Sequence, residues 1–527
     1  MKFKFMLFAL TGMMPLAMSA QETYQDTKFI DTDLNGTARY VGMGGAMEAL
    51  GADLSTANTN PAATGLFRHG TVSASASLLM QGDAGDYADK SKTHLSFDHV
   101  GFVFSDKTSG GFVNYGASFT KSRNFNQILT AVGELSYASQ NKLTARKYDY
   151  GVYLESLRSG SGDYIWNGVD AGYSELLPYS EELDKYGYYN SNSYSYGSYQ
   201  HGYIGQYSMF LSGNIHDRWY LGVTFGIHDV HYKSQSDYSE NIADVDGAKA
   251  YSGEDLKITG TGFDVKAGVI FRPVELSPFR IGLYVHTPTF YNLEMDGVSY
   301  VGLSGFPESG KLTDVRNGYA KNQYTYDKFK IYTPWKFGLS LGHTVGNYLA
   351  LGATYEYADY STIDNRITDG GYYDVWGDYY ESSSSDHSMN EHTESTLKGV
   401  STLKLGAEYK PVADVSLRVG YNYVSPIFRE EGVRDGTVLS AGSANSTSTD
   451  YTNWKSTNRI TLGVGYQFDK VSLDLSYQYS MQKGDFYPFG PYYEYEDHRA
   501  SEENNLVGAT EVKNNRSQLM LTVGYHF

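Results

Sequence analysis

Apolar and polar residues alternate with a period of two over most of the C-terminal third of the chain. Runs at 460–468 and 471–479 each place large apolar side chains on one face and small or polar ones on the other. Only Asp469 and Lys470 separate these two runs, which predicts antiparallel neighbours joined by a tight turn. A third run of this kind covers residues 519–527 and ends on Phe527.

The same alternation recurs toward the N-terminus and predicts 14 strands in all. They are expected near residues 70–80, 92–104, 110–120, 203–213, 219–227, 263–271, 279–285, 335–341, 349–357, 403–409, 415–423, 460–468, 471–479 and 519–527. The alternation breaks around His99, which predicts a β-bulge or kink there. The strong apolar faces carry no charged residue, as contact with lipid requires.

The connections between these strands alternate between short and long. Short ones are expected at 105–110, 214–217, 273–278, 343–347, 411–414 and 469–470, and long ones at roughly 122–202, 233–259, 293–329, 360–396, 425–457 and 482–512. Transmembrane barrels have short periplasmic turns and long outer loops, whereas a soluble all-β protein has no reason to sort its loops by face. We therefore predict an all-β fold: a 14-stranded antiparallel transmembrane β-barrel over residues 70–527, with both termini in the periplasm.

Composition narrows the range of functions. The 527 residues include 60 acidic and 42 basic side chains, and the formal net charge of −18 argues against nucleic-acid binding. The sequence has no cysteine, which excludes disulfides, zinc–thiolate and iron–sulfur sites, and a cysteine nucleophile. A chain with 50 Tyr, 57 Gly and a mean hydropathy of −0.44 suits a membrane barrel, whose apolar positions are hidden by the alternation.

Residues 1–20 have the pattern of a secretory signal peptide. Lys2 and Lys4 precede an apolar stretch over 5–18, and Ser19 and Ala20 supply small residues before the expected cleavage. The apolar stretch is short for a membrane-spanning helix. Together with the barrel pattern, this segment predicts a protein of the bacterial outer membrane.

Residues 21–69 do not alternate and read as a separate unit. The segment is rich in small residues, and it contains Gly42, Gly44, Gly45 and the run Asn60, Pro61 and Ala62. A phosphate-binding glycine loop is disfavoured, because no strong strand precedes it and the downstream spacing of a dinucleotide site is missing. With both termini periplasmic, we expect this segment to fold into the barrel lumen as a hatch.

No catalytic residue, metal site or cofactor is predicted. His228 and His231 lie three residues apart on a strand and so face opposite sides. Residues 244–247 (Asp-Val-Asp-Gly) begin like a calcium loop, but Lys249 stands where an EF-hand needs glycine. A further acidic group is interpreted as a solvated loop rather than a cation site; it consists of Asp369, Asp374 and Asp378.

The longest loop carries two tyrosine-rich stretches, 186–189 and 194–197, downstream of Trp166. Tyrosine supplies a large contact area at low entropic cost, so these stretches suit a binding surface. They equally suit a packed extracellular cap, which we favour.

With these features the chain resembles the FadL/TodX outer-membrane transport family, in the form found in Bacteroidetes-type bacteria and often named hemin receptor. The resemblance rests on residues 40–46 (Tyr-Val-Gly-Met-Gly-Gly-Ala), the Asn60-Pro61-Ala62 run, the 14 strands, the periplasmic termini and the terminal Phe527. It implies a barrel closed by a hatch, and diffusive uptake of hydrophobic molecules such as long-chain fatty acids or aromatic hydrocarbons. No histidine pair supports the ligation of heme.

The resemblance also implies site residues. Hatch and gating residues would be Asn60, Pro61, Ala62, Gly42, Gly44 and Gly45. In the family an inward kink of the third strand opens a side exit toward the membrane, and the glycines that would permit it here are Gly110, Gly111 and Gly116. Implied partners are a hydrophobic small molecule, outer-membrane lipid and lipopolysaccharide, without nucleic acid; the oligomeric state stays open.

Three other functions stay open from the sequence. The first is an outer-membrane barrel that acts through its Tyr-rich loops as a binding or secretion-partner protein. The second is a membrane enzyme such as a phospholipase, although no nucleophile elbow of the Gly-x-Ser-x-Gly type is present. The third is a general water-filled porin, which the expected hatch disfavours.

Overall fold

The computed structural model describes residues 22–149, 168–243, 245–306, 318–377, 379–438, 440–444, 446–493, 495–496, 499–500 and 504–527. The expected signal peptide, Trp166, Asp244 and Asp378 lie outside these ranges. Among the helices within them, none is both long and apolar enough to cross a membrane.

One antiparallel sheet of 20 segments closes on itself, and six segments continue a preceding one across a break, which leaves 14 strands. The strands are β1 (Thr71–Gln81), β2 (Thr93–Thr108), β3 (Gly111–Asn124 and Gln127–Glu134), β4 (Ser191–Ile215), β5 (Trp219–Ile242), β6 (Lys249–Phe271), β7 (Arg280–His286 and Phe290–Ser304), β8 (Gly318–Tyr332 and Lys336–Val345), β9 (Leu349–Asp359 and Asp364–Tyr373), β10 (Tyr379–Ser385 and Gly399–Val412), β11 (Val415–Val424), β12 (Tyr451–Phe468), β13 (Val471–Tyr487) and β14 (Thr510–Lys513 and Arg516–His526). Two-residue strands outside the barrel are Tyr179–Ser180, Lys185–Tyr186, Tyr495–Glu496 and Arg499–Ala500.

The barrel closes through its first and last strands. The register of β1 against β14 runs from Thr71 opposite His526 to Gln81 opposite Arg516. The predicted 14-stranded antiparallel barrel is therefore confirmed. The predicted bulge is confirmed as well, because the β1–β2 register shifts after Ser75 and leaves Asp98 without a partner opposite it, next to His99.

The exterior near the short turns is apolar. We call this end, where the chain passes from one strand to the next through turns such as 469–470, the short-turn half, and the opposite end the long-loop half. In the short-turn half, β5 points Leu221, Phe225 and Ile227 outward, and each is more than 40% exposed. Such a band of exposed apolar side chains is what lipid contact requires.

The alternation reverses its phase in the long-loop half. There β5 points Val230 and Tyr232 inward, where they are fully buried, and its outward positions are polar. Val230 and Tyr232 belong to one apolar cluster with Ile258, Leu293 and Phe329. The interior here resembles the core of a soluble protein.

Two of the predicted long loops are wrong in extent. Residues 233–259 and 293–329 are mostly strand, since β5 and β6 continue to Ile242 and from Lys249, and β7 and β8 pair across most of the second range. The reason is the reversed phase: a search for outward apolar residues stops where the outward residues become polar.

Helices occupy the lumen and the long-loop end. They are α1 (Thr23–Ile30), α2 (Ala38–Gly42), α3 (Gln140–Asp149), α4 (Gly168–Leu176), α5 (His387–Thr396) and α6 (Ala441–Ala444), with 3-10 turns at Leu54–Asn58, Pro61–Leu66 and Tyr360–Thr362. The tyrosines Tyr189, Tyr194 and Tyr196 are buried in two apolar clusters at the long-loop end. These tyrosines are packed, as the favoured interpretation expects, but Tyr194 and Tyr196 lie on β4 and not in a loop. The extracellular position of this end stays a prediction.

Candidate functional site

The segment 22–69 lies inside the barrel and contacts inward-facing side chains around the ring. The amide of Ala38 donates to Oγ1 of Thr522 on β14 at 2.7 Å, and Oγ1 of Thr64 donates to Oγ of Ser212 on β4 at the same distance. On β12, two strands away from β14, Oγ1 of Thr461 donates to the carbonyl of Gly42 at 3.1 Å. We call these residues the inner segment; its role as a moving hatch stays a prediction.

The Asn60-Pro61-Ala62 run begins the last 3-10 turn of the inner segment. The Asn60 side chain caps that turn by accepting from the amide of Ala62 at 3.1 Å, and Pro61 occupies the first turn, where a missing N–H costs nothing. The Asn60 side chain also donates to the carbonyl of Glu48 at 3.0 Å. The run therefore ties two parts of the inner segment together.

The three glycines expected in the hatch lie where the inner segment meets the wall. Gly44 and Gly45 have φ of +62° and +82°, a region that glycine enters without strain. A Cβ on Gly44 would lie 2.8 Å from the amide nitrogen of Tyr421 on β11. Backbone packs directly on backbone here.

Two buried ion-pair groups fix the inner segment to the wall. Lys404 lies 2.8 Å from Oε1 of Glu48 and 3.0 Å from Oε2 of Glu356. Arg39 lies 3.1 Å from Oε2 of Glu408, which Arg418 approaches to 2.6 Å. Removing one partner from such a group leaves an uncompensated charge, which costs more than the pair contributes.

The third strand departs from regular pairing, but not at the glycines expected to kink it. Gly110 lies in the turn before β3, Gly111 begins the strand, and Gly116 pairs regularly on both sides. The register of β3 against β4 shifts between Lys121 and Arg123, and the strand breaks at residues 125–126. A role for the three glycines stays a prediction.

A gap opens in the wall between β2 and β3. The two strands pair only from His99 opposite Thr120 down to the turn. Beyond this point, within the fully described stretch 93–134, β2 pairs with β1 alone and β3 with β4 alone. Leu95 and Phe97 on the β2 side of the gap are 84% and 52% exposed, so the gap lies beside exposed apolar surface.

The inner segment bridges this gap. The Asn35 side chain donates to Oδ1 of Asp98 on β2 at 3.0 Å and to the carbonyl of Lys121 on β3 at 2.9 Å. One side chain thus contacts both edges that the sheet leaves unpaired. Sequence reasoning missed it, since no motif marks Asn35.

Two cavities lie inside the barrel. The inner cavity, with about 1410 Å³ of space including its mouth, borders the unpaired edge of β3 through Lys121 and Ser122. The outer cavity, with about 1320 Å³, lies toward the long-loop end and is lined by aromatic rings that include Tyr24, Phe428 and Trp454. The two share four lining residues: Asp31, Tyr360, Val400 and Val424.

Basic side chains gather where the cavities meet. Arg123 pairs with Asp31 at 2.7 Å and lies 3.4 Å from Asp33. Arg459 lines the inner cavity and Arg516 the outer one, and neither forms an ion pair with any residue the structure describes. Three guanidinium groups thus surround two carboxylates inside a chain whose net charge is −18.

The pKa of Asp33 shows the strength of this positive field. Burial alone would raise the pKa of the Asp33 carboxyl, but Arg123, Arg516 and Arg459, together with the amide of Asn124, hold it below its ordinary value. In α1 the pKa of Asp26 is raised well above its ordinary value by burial and by the nearby carboxylates of Glu22 and Asp386. The positive field is therefore local to the junction of the cavities.

The other candidate ligands do not come together. His228 faces inward and contacts Asp264 at 3.0 Å, while His231 faces outward and contacts Asp229, so the prediction of opposite faces is confirmed. Asp246 is exposed in the turn before β6, and Asp374 accepts from the amide of Trp376. In the described part of the chain, no three His, Asp or Glu side chains are grouped to hold a metal ion.

The closed sheet, its apolar exterior band and the segment packed in its lumen define a transmembrane β-barrel with a filled interior. No protein-family model and no curated protein sequence matches the chain.

Solved structures of outer-membrane transporters are similar to it over nearly the whole length. The Ralstonia pickettii toluene transporter TbuX has 12% sequence identity and a TM-score of 0.48, over 94% of this chain and 99% of that one. A Pseudomonas aeruginosa FadL homologue has 14% identity and a TM-score of 0.48 over the same shares. The P. putida toluene transporter TodX has 11% identity and a TM-score of 0.48, again over 94% and 99%. These are proteins of the kind that the sequence resemblance names.

Proposed function

We propose that the protein is an outer-membrane channel for the diffusive uptake of hydrophobic small molecules that carry an anionic head, with long-chain fatty acids as the model cargo. The short turns face the periplasm in this proposal. Cargo enters the outer cavity, passes to the inner cavity, and leaves sideways through the gap between β2 and β3. The observation that carries the proposal is the contact of the inner cavity with the unpaired edge of β3.

The lining of the outer cavity suits an amphiphile. Aromatic rings accept an apolar tail. Arg459 and Arg516 at the junction donate to neutral groups of the protein and form no ion pair with a described residue, so their charge can pair with a carboxylate. A neutral hydrocarbon such as toluene would gain nothing from these arginines. The local excess of positive charge therefore favours an anionic cargo over a neutral one.

Uptake by cells tests the cargo. Cells that lack the protein are complemented with the wild type, with Arg459→Gln/Arg516→Gln, or with Arg272→Gln, a partly buried turn arginine that lines neither cavity. We expect the wild type and the control to restore uptake of labelled oleate, and the double variant to take it up at least fivefold more slowly. Equal oleate uptake by the double variant, or a wild type that carries toluene but no oleate, would contradict an anionic cargo.

A second candidate function rests on one exposed hairpin. The turn that joins β9 to β10 presents Val375 and Trp376, which are 93% and 85% exposed, at the long-loop end. Exposed aromatic side chains are common anchors of protein interfaces. If the protein acts by docking a partner at this hairpin, Trp376→Ser should remove the function that depends on the partner and leave oleate uptake unchanged.

A further inference from the structure

Eight consecutive strands each turn a glycine toward the inner segment. They are Gly222 (β5), Gly268 (β6), Gly282 (β7), Gly342 (β8), Gly352 (β9), Gly406 (β10), Gly420 (β11) and Gly463 (β12). Cross-strand register makes much of this row continuous, since Gly352 lies opposite Gly342 on one side and Gly406 on the other, and Gly406 lies opposite Gly420. We call the eight residues the glycine seat.

At five of the eight positions a Cβ would come closer than 3.0 Å to the backbone of the inner segment. A Cβ on Gly352 would overlap the carbonyl oxygen of Ala46, and one on Gly406 would overlap that of Met43. A Cβ on Gly342 would lie 2.9 Å from the carbonyl carbon of Ala49. The atoms in the way belong to the backbone, which cannot rotate aside as a side chain can.

The same contact continues along the inner segment. A Cβ on Gly420 would overlap the amide nitrogen of Gly44, and one on Gly222 the carbonyl carbon of Pro61. The remaining wall holds the segment by hydroxyl groups instead, as at Thr522 and Ser212. Polar contacts therefore hold the inner segment on both sides of the barrel, whereas the close backbone contact of the glycine seat is confined to β5–β12.

We propose that the glycine seat is the specificity-determining element that closes the lumen of the short-turn half to ions and polar solutes. Buried ion pairs line the lumen of the short-turn half. They would take up water if the inner segment moved away from the wall by one water diameter. Direct backbone contact removes that space. The inference rests on the proposed membrane channel but not on the identity of its cargo.

Conductance in planar lipid bilayers tests the seat in the full-length protein. The triple variant Gly352→Ala/Gly406→Ala/Gly420→Ala is compared with the wild type and with Gly524→Ala. Gly524 faces inward on β14, and a Cβ there would meet only the rotatable hydroxyl of Ser472 at close range. We expect the triple variant to conduct at least tenfold more than the wild type in potassium chloride, and the control to stay closed.

A folded triple variant that stays as closed as the wild type would overturn the proposal. Folding is checked by the altered gel mobility of the unheated barrel. If the triple variant does not fold, Gly420→Ala alone is combined with Met47→Cys, which places one thiol in a cysteine-free chain at a fully buried position. We then expect labelling by a polar maleimide at least tenfold faster than in Met47→Cys alone; an unchanged labelling rate would equally overturn the proposal.

The readouts separate the seat from the cargo. Oleate uptake is measured in the same cells as maleimide labelling. A wild type without oleate uptake, together with a conducting seat variant, would reject the proposed cargo and keep the seat. Oleate uptake by the wild type, together with a seat variant that stays closed, would keep the proposed cargo and reject the seat.

Discussion

The short-turn half and the long-loop half are built from the same strands with opposite placement of apolar side chains. On β5, Phe225 faces outward and is 47% exposed, whereas five residues later Val230 faces inward and is fully buried. The strand does not change its direction or its pleat; only the surroundings change, from lipid outside to water outside. The comparison teaches that the same barrel can have a polar lumen at one level and an apolar lumen at the next.

The largest effect is expected from a charge in the apolar interior of the long-loop half. Leu293 is fully buried among apolar side chains, so Leu293→Asp should lower the free energy of unfolding by about 4 kcal/mol. Asn292→Asp, at the outward-facing neighbour, should change it by less than about 0.5 kcal/mol. Urea unfolding in lipid vesicles measures both. Equal effects at the two positions would mean that the interior of this half is wet.

A charge on the exterior of the short-turn half should cost somewhat less. Phe225→Lys faces lipid in our proposal and should lower the free energy of unfolding by about 2–4 kcal/mol. The reciprocal change Lys233→Phe, eight residues further along the same face of β5, should cost almost nothing because water surrounds it. If Phe225→Lys were as mild as Lys233→Phe, the lipid boundary would not lie between these two positions.

At the gap, a smaller change should affect transport more than stability. Asn35→Leu removes both hydrogen bonds by which the inner segment bridges β2 and β3; each contributes about 1 kcal/mol, so their loss raises the open population by up to roughly thirtyfold. The direct bond across the gap, from Nζ of Lys121 to Oγ of Ser96, stays in place. We expect faster initial oleate uptake and faster amide hydrogen exchange at 93–98. His69→Gln, at an exposed position of the same segment that lines neither cavity, is the control. Faster exchange without faster uptake would place the exit elsewhere.

The smallest effect is expected from the buried carboxyl of α1. Because the pKa of Asp26 is raised in the folded protein, its contribution to stability is full at low pH and is lost as the pH rises through the folded pKa. Asp26→Asn removes this loss, so its melting temperature should exceed that of the wild type at pH 9 by a few degrees and match it at pH 4. Scanning calorimetry at both values measures the difference. A gap of equal size at both pH values would show that titration of Asp26 is not the cause.

The fold could be predicted because lipid requires apolar outward-facing side chains on every strand that it contacts. Runs such as 460–468 follow that rule over their whole length, and all 14 were found. The long-loop ends of β5 to β8 were missed because their outward residues face water and carry no apolar signature. The glycine seat does have a signal in the sequence: eight neighbouring strands each carry an inward glycine, as β10 carries Gly406 close to its short-turn end. The predicted site residues do not include these glycines. Asn35 could not be found, since its role comes from two edges that meet only in the folded barrel.

The length of the strands has a consequence for where cargo first meets the protein. β5 contains 24 residues, which makes roughly 80 Å of strand, and at a tilt of about 45° it rises roughly 55 Å against a lipid band of about 25 Å. In the orientation that we propose, with the short turns in the periplasm, the surplus height would carry the long-loop end through the layer of charged sugars that covers the lipid. A hydrophobic molecule that reaches the outer cavity would then be captured above the saccharides and descend inside the wall, without crossing the layer that normally repels it.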